Sequence, residues 1–94
     1  MKLSFVVPCY NESGNVKPFI DEIYANFPIT KEYEVVFVND GSADDTFARL
    51  KEIKHTSPCN IKIVNFSRNF GKESAMYAGL QNACGDLVSI ISLK

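Results

Sequence analysis

The stretch Phe5-Val6-Val7-Pro8-Cys9-Tyr10-Asn11-Glu12 decides how this chain folds. Leu3–Val7 reads as a continuous apolar run, the pattern of a strand covered on both faces. The run breaks into a polar elbow carrying Pro, Tyr, Asn and Glu. The same design returns at Val35-Val36-Phe37-Val38, which opens into Asn39-Asp40-Gly41-Ser42. Open parallel sheets bind ligands beyond the carboxyl ends of their strands. Both elbows are therefore candidate site segments.

Working outward, the segments alternate. After the first elbow, Val16, Phe19, Ile20, Ile23, Tyr24 and Phe27 recur at helical spacing and form one wide apolar stripe. Pro18 fits only the first turn of that helix, and Pro28 marks its end. Glu34–Val38 is the second strand. Ser42-Ala43-Asp44-Asp45 resembles a capping box with Asp in place of Glu, so Ser42 is expected to cap a second helix whose inner face carries Phe47, Leu50 and Ile53. Ser57-Pro58 breaks that pattern and Ile61–Phe66 gives a third strand. Asn69-Phe70-Gly71 turns into a third helix whose face of Ala75, Met76, Ala78, Gly79, Leu80 and Ala83 is unusually small-sided, and Gly85 looks like its stop. Leu87–Ile91 is a fourth strand. The order β-α-β-α-β-α-β, with right-handed crossovers, predicts an α/β fold: a three-layer α/β/α domain with a mostly parallel sheet.

The totals agree with one domain over residues 1–94. Hydrophobic residues make up 46% of the chain and the net charge is −1, so a globular protein without a basic field for nucleic acid is expected. No apolar run approaches the roughly 20 residues of a membrane helix. Met1-Lys2-Leu3-Ser4 leads straight into a strand and shows no signal-peptide cleavage region. Cys9, Cys59 and Cys84 are odd in number and lack metal-ligand spacing, which points to reduced thiols in a cytoplasmic setting rather than to zinc.

Three pieces could carry chemistry. In the first, Pro8 sets the chain direction, Tyr10 can pack on a base or ribose, and Glu12 can accept from ribose hydroxyls or base N–H groups. The plain alternative is a loop in which Asn11 or Ser13 caps the first helix. In the second, Asp40 sits at a strand end and is expected to point into the crevice, while Gly41 permits a positive φ and close approach of a ligand. The alternative is a simple turn. Asp44 and Asp45 read as helix-end charges. In the third, Ser67-Arg68-Asn69-Phe70-Gly71-Lys72 brings two cations and a Gly to a helix entry, where a diphosphate is the natural partner. It is not a P-loop, and no G-x-G-x-x-G follows the first strand. His55 falls near the end of the second helix, where it complements the dipole.

Together these blocks resemble the inverting GT-A glycosyltransferases of the family-2 type, and particularly the polyprenyl-phosphate sugar transferases. The resemblance is carried by Val6–Glu12, Val36–Thr46, Ser67–Ala75, Ala78-Gly79-Leu80 and Gly85-Asp86. It implies a Rossmann-like half of a nucleotide-diphospho-sugar transferase fold with strand order 3-2-1-4. It implies binding of a UDP- or GDP-sugar for transfer to a polyprenyl-phosphate or sugar acceptor. Pro8, Tyr10, Asn11 and Glu12 would line the nucleoside site, Asp40 and Gly41 would lie at the base, and Lys72 and Arg68 near the base or diphosphate. Such enzymes also use a divalent metal, Mg or Mn, held by an Asp-x-Asp pair. Counting forward from Gly85-Asp86, those positions hold Ser92 and Lys94, so the metal ligands are missing, and no catalytic residue is assigned. The chain then reads as the N-terminal part of such an enzyme, truncated and inactive alone, cytoplasmic or peripheral to the cytoplasmic face of the membrane. The alternative is a non-catalytic nucleotide-binding or self-assembling α/β module. A fourth strand left at the sheet edge would favour homo-oligomers. An unrelated receiver-like or dinucleotide-binding domain fits less well.

Overall fold

The computed structural model describes residues 2–26, 32–57 and 60–93. Among them the elements run β1 (Leu3–Cys9), α1 (Val16–Asn26), β2 (Tyr33–Asn39), α2 (Thr46–Thr56), β3 (Ile61–Asn65), α3 (Lys72–Asn82) and β4 (Leu87–Ile90). Met1, Phe27, Pro28, Pro58, Cys59 and Lys94, which entered the reading above, lie outside the described residues. The strands form one sheet in the order β3-β2-β1-β4, and all three pairings are parallel. This is the expected order.

The pleat sorts the core into two faces. Phe5, Val7, Cys9, Val35 and Phe37 pack with Val16, Ile20 and Ile23 of α1 and Leu50 and Ile53 of α2. Alternate residues point the other way, and there α3 lies close to the sheet. A Cβ on Gly79 would stand 2.3 Å from Val6 Cγ1 and 3.3 Å from Val38 Cγ2. The small-sided face thus lets the helix backbone meet the valines directly. β2 is buried at every position, which explains its unbroken apolar run.

Several local expectations change. β1 continues through Pro8 and Cys9 instead of ending at Val7. A proline in a central strand loses a ladder donor, but β4 pairs only with Leu3–Val6, so Pro8 lies beyond its reach. β2 likewise runs one residue further at each end, and β3 and β4 each stop one residue earlier. Tyr24 belongs to the spacing of the α1 stripe but is 44% exposed, at the rim of the groove between α1 and α2. Ser42 does not cap α2. The N-cap is Asp45, without a side-chain cap bond, and Asp44 Oδ1 instead accepts from the backbone N–H and hydroxyl of Thr46. Those bonds hold the Asp44 carboxyl below the usual range. Gly85 does not stop α3, which ends at Asn82 with an extended Ala83 as C-cap. Its role is close approach: a Cβ there would lie 2.5 Å from Ser4 Oγ and 2.8 Å from Ser4 N.

At the amino end of the sheet sits a polar cluster that the strand pattern did not announce. Glu34 is fully buried in β2. Its Oε2 accepts from Ser4 Oγ and from Cys84 N, both at 2.6 Å, and its Oε1 faces Lys62 Nζ at 2.9 Å. Burial alone would push this carboxyl up. The Cys84 N–H, the Ser4 hydroxyl and the Lys62 ammonium outweigh it and hold the carboxyl down at about 2. The cluster ties the segment between α3 and β4 to the sheet, leaving the opposite, carboxyl end open.

Candidate functional site

At the carboxyl end, the elbows after β1, β2 and β3 are laced together by their own side chains. Asn11 takes a positive φ of 53. Its N–H donates to Ser42 Oγ at 2.9 Å, and its Oδ1 accepts from the N–H of Ala43 at 2.8 Å. Ser42 Oγ in turn donates to Asn39 Oδ1, and Asn39 Nδ2 donates to Asn65 Oδ1 at 2.8 Å. Asn11 therefore clasps the first elbow to the second, and α1 gains no cap from it. Glu12 N–H donates to Thr46 Oγ1 at 3.0 Å, which anchors the same elbow to the start of α2.

Asp40 ties the second elbow to the third. It is 3% exposed. Its Oδ1 accepts from Phe70 N at 2.8 Å, and its Oδ2 accepts from Gly71 N and Asn69 Nδ2, each at 3.1 Å. The carboxylate expected to point into the crevice for a ligand is thus committed to the loop before α3. Gly41 is held at φ +66, and a Cβ there would lie 2.0 Å from the Arg68 carbonyl carbon. The positive φ is as expected, but the close approach is to backbone of the third elbow rather than to a ligand.

These ties shape a cavity of about 450 Å³. Pro8, Tyr10, Glu12, Asp40 and Lys72 line it, so five of the sequence-predicted residues converge. Asn11, Gly41 and Arg68 do not line it. Arg68 lies over the Phe70 ring at 4.7 Å, on the outside of the third elbow. Tyr10 is half exposed at the cavity. Cys9, Asn69, Gly71, Ser92 and Leu93 complete the walls. In the sequence Asn69 and Gly71 carry one signal of a wall position, a Gly after a polar turn at a helix entry. Cys9 supplies an apolar wall: burial, and then the charge of Glu12, push its thiol up to about 12. Lys72 Nζ donates to Ser92 Oγ at 3.0 Å across the cavity.

A divalent metal needs several oxygen ligands, with one or two carboxylates among them. Among the described residues no group of three or more His, Cys, Asp or Glu side chains could hold one. Of the two acids on the cavity, Asp40 is committed as above and Glu12 Oε1 accepts from Asn15 Nδ2 at 2.8 Å. The Ser92 hydroxyl faces an ammonium. The residues present do not fit such an ion.

Known proteins with the same features give the family. The bactoprenol glucosyl transferase of Shigella phage SfV is 42% identical over 90 residues, covering 94% of this chain and 29% of that protein. The prophage bactoprenol glucosyl transferase homolog of Escherichia coli K12 is 41% identical over the same length and coverage. Among solved structures, the mannosyltransferase PcManGT of Pyrobaculum calidifontis, in complex with GDP-Man and Mn2+, superposes with a TM-score of 0.87 at 30% identity, covering 96% of this chain and 26% of that one. Staphylococcus aureus TarS 1-349 in complex with UDP gives 0.85 at 28% identity, covering 99% and 27%. The chain thus spans less than a third of the length of these relatives, and its sheet is the GT-A arrangement of the two solved structures. The family model for glycosyl transferase family 2 matches residues 4–92, and the chain belongs to that family.

Proposed function

We propose that this chain forms the nucleotide-binding part of a glycosyltransferase that takes a UDP- or GDP-sugar and passes the sugar to a polyprenyl-phosphate or sugar acceptor. The observation that carries the reading is the shared cavity at the strand ends where Tyr10, Glu12 and Lys72 meet. Each supplies what a nucleoside diphosphate needs. The Tyr10 ring offers a stacking face for the base. The Glu12 carboxylate accepts from ribose hydroxyls or base N–H groups. The Lys72 ammonium attracts the diphosphate. Asp40 acts one step back, because its bonds to Asn69, Phe70 and Gly71 fix the loop that presents Lys72. The GDP-Man and UDP held by structural neighbours support the donor class, and the bactoprenol relatives support a polyprenyl-phosphate acceptor. No described helix is long and apolar enough to cross a membrane. In this reading the chain works in the cytoplasm, at the cytoplasmic face of the membrane that holds such an acceptor.

The chain spans less than a third of the length of its relatives, and by itself we expect it to bind nucleotide weakly and to transfer no sugar. Calorimetry with UDP and GDP, paired with a turnover assay on UDP- and GDP-sugars, tests both halves. Clear sugar transfer by the chain alone would refute the second half.

A second reading, a self-assembling module, is favoured by β4. Leu87 and Val88 face opposite sides of this edge strand and are 54% and 41% exposed, and Ile90 is 44% exposed. Open apolar edges pair with other chains. Light scattering that finds a monomer at high concentration would dismiss it.

A further inference from the structure

A nucleoside diphosphate brings several negative charges into the cavity, and the wall must balance them. In the PcManGT structure a Mn2+ accompanies the GDP-Man. Here no group of three or more His, Cys, Asp or Glu side chains among the described residues could hold such an ion. Asp40 already receives three N–H groups, and turning it toward a metal would leave the amides of Phe70 and Gly71 without their acceptor at the very entry of α3. Glu12 shares its Oε1 with Asn15. On the facing wall the polar group is the Ser92 hydroxyl, and it accepts from Lys72 Nζ at 3.0 Å. That contact holds a cation inside the cavity. An ammonium there repels a divalent ion and attracts phosphate oxygens. It has three N–H donors, of which Ser92 takes one. We infer that this chain takes a nucleoside diphosphate without a divalent metal, with the Lys72 ammonium, steadied by Ser92, as the countercharge at the diphosphate. This rests on the nucleotide reading above and narrows it.

The test is a calorimetric titration of the full chain with UDP and with GDP, first in excess EDTA and then in excess MnCl2. The expected result is one Kd in both buffers, within about twofold. Lys72→Met is expected to weaken the EDTA titration by about tenfold or more, and Lys72→Arg to restore most of it. Lys72 is exposed at the start of α3, so circular dichroism should show both variants folded. Binding seen only with Mn2+, or tightened about tenfold by it, would overturn the metal-free inference and leave the nucleotide reading standing. Binding indifferent to both Mn2+ and Lys72→Met would overturn the role of Lys72. Binding in neither buffer would overturn the inference together with the reading beneath it.

Discussion

Glu34 is the most exacting test of how this domain is held together. It is a fully buried carboxylate with two hydrogen bonds at 2.6 Å and an ammonium at 2.9 Å. Its carboxyl lies at about 2, against 4.5 for an ordinary Glu. That displacement stabilises the fold at neutral pH by at most about 3 kcal/mol, because burial of the carboxylate offsets part of it. The sign follows from the folded value being the lower one. The contribution is complete above about pH 4.5 and drains away as pH falls toward about 2. Removing the side chain in Glu34→Ala leaves Ser4 Oγ and the Cys84 amide without their acceptor, while exposed Lys62 keeps Asn82 O and Cys84 Sγ. A buried polar group left without its partner costs about 1–3 kcal/mol. With a urea slope of about 1–1.5 kcal/mol/M for a domain this small, the midpoint should fall by at least about 1 M. Glu34→Gln keeps the shape and removes the charge, so it should flatten the acid dependence between about pH 4.5 and 2. Urea unfolding followed by circular dichroism across that range reads both effects. A midpoint loss under about 0.5 M in Glu34→Ala, with wild-type stability level down to about pH 3, would refute the reasoning.

Three further outcomes are expected. Gly79→Ala drives a methyl to 2.3 Å from buried Val6 and should cost about 1–3 kcal/mol in thermal unfolding, with α3 pushed off the sheet. Asp40→Ala should leave the core melted no earlier than a few degrees but remove hydrogen-exchange protection from the Phe70 and Gly71 amides, and with it nucleotide binding. The buried Cys9 thiol, held at about 12, should resist iodoacetamide at pH 8 in the folded chain while exposed Cys84 reacts, as mass spectrometry of the peptides will report.

The strands and the site end of the sheet are legible because each rests on a local pattern, whereas the order of the strands in the sheet comes from the family resemblance. Apolar runs of strand length, separated by helical spacing, leave a parallel sheet as the economical solution, and polar elbows after β1 and β2 mark its open end. What escaped depends on contacts between segments far apart in the chain. Ser42 has the residue type and position of a cap, yet Asn39 and Asn11 reach its hydroxyl first, because parallel pairing of β1 with β2 brings the elbows together. Gly85 has the position of a helix stop, but the crowding that requires it comes from Ser4, 81 residues earlier. The strand-end position of Asp40 puts it at the cavity, but its commitment to amides 30 and 31 residues on depends on the third elbow lying beside it. Glu34 looks in sequence like an ordinary strand-start charge, since its partners Lys62 and Cys84 come from two other segments.

The most direct measurement of the central claim is a heteronuclear NMR titration of the isotopically labelled chain with UDP and GDP. The account predicts saturable shifts concentrated at Tyr10, Glu12, Asn69, Gly71 and Lys72, around the one cavity those residues share. Shifts scattered over α1, α2 and the β4 edge, or none at all, would contradict it.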